Sequence, residues 1–112
     1  MASSERICLA LDLKDDPELI AQYEHHHKEV WPEILDSIRS SGIVEMEIYR
    51  TGNRLFMIME VNEHFDVEKK ASLDAQNPKV QEWEELMDTF QQRLSWAPKD
   101  VKWVRMDKIF QL

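Results

Sequence analysis

The 112-residue sequence predicts an α+β fold whose elements follow the order β-α-β-β-α-β. Two patterns predict this order. Apolar residues alternate with polar ones over four segments, as in half-buried strands, and they recur every three or four positions over two other segments, as in amphipathic helices. Aspartate, asparagine, glycine and proline separate these segments. We therefore expect two helices packed on one face of a four-stranded antiparallel sheet.

The first strand is indicated by four alternating apolar residues, Ile7, Leu9, Leu11 and Leu13. An aspartate at position 15 or 16 can cap the helix that follows, and Pro17 suits its first turn. This helix carries one apolar stripe, formed by Ile20, Tyr23, His27, Trp31, Ile34 and Ile38. Pro32 lies within the stripe and removes a backbone hydrogen bond, so a kink or a break is expected there. Gly42 marks the end of the helix.

A β-hairpin is predicted next, from residues 43–50 and 54–61 around Gly52-Asn53. On its first strand, one face is expected to carry Val44, Met46 and Ile48, and the other Glu45, Glu47 and Tyr49. The polar and ambiguous residues 65–76 predict a short helix. Asn77-Pro78 then starts a second amphipathic helix with the stripe Val80, Trp83, Met87, Phe90 and Leu94. A last strand is expected between residues 101 and 110, with Val104, Met106 and Phe110 alternating.

These elements correspond to the ferredoxin-like arrangement, in one domain that spans residues 1–112. Two helices on one side of a sheet cover only one of its faces. The third strand carries apolar residues on both faces, with Leu55, Met57 and Met59 on one and Phe56 and Ile58 on the other. We therefore predict a homodimer in which a second copy covers the free sheet face.

Composition restricts the kinds of partner. A formal net charge of −8 disfavours nucleic acid or an anionic membrane surface as the main partner. Cys8 is the only cysteine, which excludes an internal disulfide, and its apolar context indicates a core residue. The sequence has neither the apolar run of a signal peptide nor that of a membrane span. A cytoplasmic protein is expected.

His27 is the main candidate for a catalytic residue. Among the consecutive histidines 25–27, only His27 lies on the apolar stripe, because neighbouring helical residues diverge by about 100°. An imidazole with an ordinary pKa near 6.5 can transfer protons in either direction at neutral pH. The same divergence prevents the three histidines from closing on one ion, so no metal site is expected.

The spacing of several motifs resembles the L-rhamnose mutarotase family. The motifs are Tyr23-x-x-x-His27-x-x-x-Trp31-Pro32-Glu33, Ile48-Tyr49, Leu55-Phe56, Gln81-x-Trp83-x-x-x-Met87 and a final apolar strand that closes on Phe110. The resemblance implies a cytosolic dimer that interconverts the α and β anomers of a 6-deoxy sugar. It also implies that His27 is the proton donor, that Tyr23 and Tyr49 contact the sugar, and that Trp83 is the first of two paired tryptophans.

One departure from the family pattern concerns the choice of sugar. Rhamnose-acting members carry a second tryptophan where this sequence has Glu84. A carboxylate cannot stack on a sugar as an indole does, but it accepts hydrogen bonds from hydroxyl groups. Both L-fucose and L-rhamnose stay open as substrates, with a slight preference for L-fucose. Glu84 is included among the expected substrate-binding residues.

Mutarotation requires an acid and a base but no cofactor. Tyr23 is expected to orient His27 or to bind the anomeric oxygen, and Trp31 and Trp83 to present flat apolar surfaces to the sugar. Glu47 and Glu60 are possible second proton-transfer groups, although strand carboxylates are more often solvated. The same fold also hosts haem-degrading enzymes, cofactor-free monooxygenases and regulatory modules that only bind small molecules, and these alternatives remain.

Overall fold

The protein is described by a computed structural model over residues 4–112. Within this range it contains four helices and a five-stranded sheet. The elements are β1 (Ser4–Leu13), α1 (Pro17–His26), α2 (Pro32–Ser40), β2 (Ile43–Thr51), β3 (Arg54–Asn62), α3 (Val67–Gln76), α4 (Pro78–Asp88), β4 (Gln91–Gln92) and β5 (Val104–Arg105). None of the helices in residues 4–112 has the length and apolar character needed to cross a membrane.

The sheet is antiparallel, with the strand order β2-β3-β1-β4 and β5 also paired with β1. In its centre, Leu9 of β1 faces Met57 of β3, and Ile48 of β2 also faces Met57. The residues of this face pack under the helices, together with Tyr23 and Trp83. The predicted α+β, ferredoxin-like architecture is confirmed.

The first helical segment divides in two, as its proline predicts. The carboxylate of Asp16 caps α1, accepting hydrogen bonds from the amides of Glu18 and Leu19 at 2.9 and 3.2 Å. The second helix, α2, begins at Pro32, and Trp31 before it has the non-helical backbone of a polyproline II residue (φ −58°, ψ 138°), because proline disfavours helical geometry in the preceding residue. The predicted break is therefore real, and residues 27–31 connect the two helices.

The faces of β2 differ from the prediction at one position. A register shift between Ile43 and Glu45 places Val44 in a β-bulge. Ile43 is consequently buried, whereas Val44 is 55% exposed. The predicted strict alternation fails at Val44, because a bulge inserts one residue, although Val44, Met46 and Ile48 all line the cleft described below.

The C-terminal strand is much shorter than predicted. Only Val104–Arg105 pairs with β1, while Gln91–Gln92 forms an additional short strand on the same edge. Phe110 does not close the sheet and is 76% exposed.

None of the helices found in residues 4–112 covers the opposite face of the sheet. Pairing places Cys8 beside Ile58, Ala10 beside Phe56, and Phe56 beside Tyr49 on this face. Ion pairs at its margin join Arg6 to Glu60 and Arg54 to Asp12. We call this surface the open sheet face.

Candidate active site

The site is built where α1 ends. At this end the backbone amide of His27 donates to the carbonyl of Glu24 at 3.2 Å, which is the tighter turn found at many helix ends. The carbonyl of Tyr23, which the His27 amide would use in a continued helix, instead lies 2.9 Å from Nδ1 of the His27 ring. The helix terminus therefore holds the imidazole in place.

This contact determines which ring nitrogen of His27 carries the proton. A carbonyl oxygen only accepts hydrogen bonds, so Nδ1 is the donor and Nε2 of the neutral ring is left with a free lone pair. Burial lowers the pKa of His27 below 6.5, the bond to Tyr23 opposes part of that change, and His26 lowers the pKa further. Near neutral pH the side chain is therefore uncharged, and Nε2 is its hydrogen-bond acceptor.

Aromatic rings surround this histidine. The ring centroid of Tyr23 lies 4.4 Å from that of His27, and the centroid of Trp83 lies 5.7 Å away on another side. Trp31 in turn packs edge-on against Trp83, with centroids 5.1 Å apart. The structure thus brings together four of the predicted site residues, Tyr23, His27, Trp31 and Trp83.

A cleft of about 700 Å³ opens beside this cluster, between the helices and the core face of the sheet. Tyr23, His27, Trp83 and Glu84 line it, together with apolar side chains such as Ile48 and Met57. Such a lining, mostly apolar with a few polar groups, is typical of sites for small molecules.

Tyr23 supplies a hydrogen-bond donor to the cleft. Its side chain is 3% exposed. Burial raises the pKa of the phenol to about 12, the amide of Gln91 counteracts this in part, and the negative charge of Glu84 adds to it. The hydroxyl therefore stays protonated throughout the physiological range and cannot serve as a base there.

Glu84 lies at the rim of the cleft and is held by a lysine. The ammonium of Lys102 is 2.7 Å from the carboxylate of Glu84 and 2.6 Å from that of Asp88. Burial by itself lowers the pKa of Lys102, but the hydrogen bonds to Asp88 and Glu84 outweigh it, so the pKa is raised and the lysine stays charged. Sequence reasoning missed Lys102, because its position after a long loop carries no periodic signal.

Tyr49 is not brought to His27 within one chain. It lies on the open sheet face, where it is 53% exposed and donates a hydrogen bond to Glu47. Glu47 and Glu60 share that face, and neither lines the cleft. Their predicted roles at the site find no support in the geometry of a single chain.

Two cleft residues, Gln91 and Trp103, were not singled out from the sequence. Both follow α4 in segments whose pairing with β1 is too short to leave an alternating pattern. Across residues 4–112, no three histidine, cysteine, aspartate or glutamate side chains are grouped so as to hold a metal ion.

The fold and the site together define a class: a ferredoxin-like domain with an acid–base cleft for a small molecule. The family model described as L-rhamnose mutarotase matches residues 6–112 of the chain. The protein therefore belongs to the L-rhamnose mutarotase family, as its sequence motifs predict.

Individual relatives agree with the assignment. The chain is 47% identical over 112 residues to the L-fucose mutarotase of Xanthomonas campestris pv. campestris, covering 98% of this chain and 90% of that protein. It is 39% identical over 111 residues to a UPF0734 protein of Dictyostelium discoideum, covering 92% and 86%. The crystal structure of an L-rhamnose mutarotase from Formosa agariphila superposes with a TM-score of 0.71 at 22% identity, covering 96% and 98%, which supports the fold.

Family membership confirms the predicted enzyme class. The protein is an isomerase of the mutarotase type, which interconverts the anomers of a sugar.

Proposed function

We propose that this protein is an L-fucose mutarotase in which His27 transfers the proton. The observation that carries the catalytic part is the hydrogen bond from Nδ1 of His27 to the carbonyl of Tyr23, because it leaves Nε2 as a base in the cleft. The choice of L-fucose is supported by the relative that is 47% identical and by Glu84, which accepts hydrogen bonds where rhamnose-acting members carry an indole.

The proposed reaction opens and recloses the sugar ring. Nε2 of His27 takes the proton of the anomeric hydroxyl while the bond between C1 and the ring oxygen breaks. The resulting imidazolium returns this proton to the ring oxygen, so atoms and charge balance and an open-chain aldehyde forms. Rotation about the C1–C2 bond followed by the reverse steps gives the other anomer.

Tyr23 and the tryptophans assist without exchanging protons. The Tyr23 hydroxyl, kept protonated by its raised pKa, donates a hydrogen bond to the charge that develops on the ring oxygen. Trp83 offers a flat apolar surface to the C–H face and the 6-methyl group of the sugar, and Trp31, which does not line the cleft, packs against Trp83 and supports it.

The proposal includes a cytoplasmic homodimer. The open sheet face has an apolar centre with Phe56 and Ile58 and a margin of ion pairs, which is the usual composition of a protein interface. The exposed apolar residues Ile109 and Phe110 add to the surface that a second copy would cover. Cytoplasmic location is supported by the family resemblance alone.

Saturation-transfer NMR tests the function directly. Exchange between the α and β anomers is measured for L-fucose, L-rhamnose and D-galactose with and without protein. We expect exchange above the buffer rate for L-fucose, weaker exchange for L-rhamnose, and none that requires an added cofactor. If no sugar exchanges faster than in buffer, the mutarotase proposal fails. Binding of a sugar without exchange would instead indicate a regulatory module.

A further inference from the structure

Gln91 is a cleft residue whose side-chain oxygen is left without a partner. Its Oε1 atom is fully buried and accepts no hydrogen bond from any residue in the range 4–112. Buried side-chain oxygens of native proteins nearly always have a partner, so this atom calls for a donor that the described chain does not supply.

The backbone aims this side chain into the site. In the pairing of β4 with β1, Gln91 lies opposite Leu13, which is completely buried on the core face of the sheet. Its neighbour Gln92 lies opposite Asp12 and points to the other face. The amide of Lys14 donates to the carbonyl of Phe90 at 2.8 Å and fixes the chain immediately before Gln91.

Gln91 lies in the part of the protein where the proposed reaction takes place. It lines the same cleft as Tyr23 and His27. Its side-chain amide acts on the Tyr23 phenol in the direction that lowers the pKa, as a donor to the phenol oxygen does. Oε1 of Gln91 is thus an unpaired hydrogen-bond acceptor on the cleft that Tyr23 also lines.

An unpaired acceptor of this kind needs a hydrogen-bond donor from the ligand. A sugar hydroxyl is such a donor, so it can satisfy Oε1 of Gln91 while the Tyr23 hydroxyl donates to the ring oxygen. We propose that Gln91 is a specificity-determining residue that accepts a hydrogen bond from one ring hydroxyl of the substrate. This inference rests on the proposed sugar mutarotase function and adds a residue that the family motifs do not include.

The consequence is selectivity against sugars that lack this hydroxyl. A substrate without it leaves Oε1 buried and unpaired in the complex as well, whereas the true substrate removes that cost on binding. Discrimination should therefore depend on Gln91 and should disappear when its amide is replaced by an apolar group of similar length.

The test compares L-fucose with its 2-, 3- and 4-deoxy analogues in the anomer-exchange assay. For the wild-type protein, kcat/KM for one analogue should be at least about tenfold below that for L-fucose. In Gln91→Met, kcat/KM for L-fucose should fall to the level of that analogue, while the analogue itself exchanges as in wild type. Gln92→Met is the matched control and should behave as wild type, because its side chain points to the other sheet face.

Each outcome has a definite meaning. Equal kcat/KM values for all analogues in wild type would overturn the role of Gln91 without any variant being needed. A uniform loss over all four sugars in Gln91→Met would mean a structural effect, and no loss would mean that water satisfies Oε1; either overturns the inference while mutarotation stands. Absence of exchange for every sugar with wild type would refute the proposed function itself, and this inference with it.

Discussion

Nδ1 of the His27 ring lies 2.9 Å from the backbone carbonyl oxygen of Tyr23, one helical turn earlier. This contact requires α1 to end where it does, because in a longer helix the His27 amide would compete for the same carbonyl. Pro32 interrupts the apolar stripe five residues later, which makes a continuous helix unfavourable. The end of α1 at this point therefore sets the orientation of the ring.

The first prediction concerns the three adjacent histidines. His27→Asn keeps a polar side chain of similar size but removes the titratable nitrogen, so anomer exchange should fall by at least about 10² while the fold persists. Exchange is measured by saturation-transfer NMR, and the fold by circular dichroism and thermal unfolding.

His25→Asn is the matched control for that variant. His25 is exposed and does not line the cleft, so its replacement should leave exchange unchanged. His26 is half-buried, with its ring 5.5 Å from that of Phe90, and His26→Asn should affect stability more than exchange. A greater loss of exchange in either control than in His27→Asn would contradict the catalytic assignment.

The second prediction is the pH dependence of kcat/KM. Burial lowers the pKa of His27 below 6.5, and the free enzyme needs the neutral ring as its base. Activity above the buffer rate should therefore be constant from about pH 6.5 upward and fall only below it, as pH drops through the lowered pKa. Tyr23, with a pKa of about 12, adds no alkaline limb before strongly basic pH.

The stability of the folded protein should also decrease at acidic pH. The unfolded chain binds a proton at His27 more readily than the folded chain, so this residue stabilises the fold above about pH 6.5, and that contribution is lost as pH falls through the lowered pKa. In His27→Asn the loss of activity and the loss of stability at acidic pH should both be smaller than in the wild-type protein. Activity that instead declines as pH rises through 6 to 7 would identify protonated His27 as the required form.

Much of the fold was predictable because its signals are local. The Asp16 cap, the break at Pro32 and the alternation in β1 each depend on residues within a few positions of one another. The bulge at Val44 and the short β5 were not predictable, since both depend on the register against a distant strand. Local periodicity contains no information on register.

The residues of the site also differ in whether local sequence signals could predict them. His27 and Tyr23 are one turn apart on one helical segment, so spacing alone placed them together. Gln91 and Lys102 reach the cleft through tertiary pairing and a loop, and neither leaves a sequence pattern. Tyr49 was assigned from the resemblance alone, and strand alternation places it on the opposite face from His27.

The third prediction concerns the open sheet face. We expect light scattering to give twice the 13.4 kDa chain mass over a dilution series. Ile58→Glu introduces a charge at the apolar centre of this face and should yield a folded monomer, because an unpaired carboxylate is costly to bury at an interface. Ala75→Glu, at an exposed position of α3 away from the sheet, is the control and should stay dimeric. A wild-type species of 13.4 kDa at all concentrations would refute the dimer.

The last prediction concerns Glu84 and the choice of sugar. Glu84→Trp restores the paired indoles of rhamnose-acting members next to Trp83, so the ratio of kcat/KM for L-rhamnose to that for L-fucose should rise by about tenfold or more. The fold should tolerate the change. Lys102 keeps Asp88 at 2.6 Å, and a half-exposed ion pair of this kind contributes about 1 kcal/mol or less to stability.

Asp88→Asn separates the effect of the sugar contact from that of the ion pair. This variant weakens the ion pair between Asp88 and Lys102. It leaves the cleft lining intact, since Asp88 does not line the cleft. If the sugar ratio depends on Glu84 as a hydrogen-bond acceptor, Asp88→Asn should keep the wild-type ratio. If Asp88→Asn changes the ratio of kcat/KM for the two sugars as much as Glu84→Trp does, the selectivity depends on the position of Lys102. Glu84 would then not select the sugar by a direct hydrogen bond.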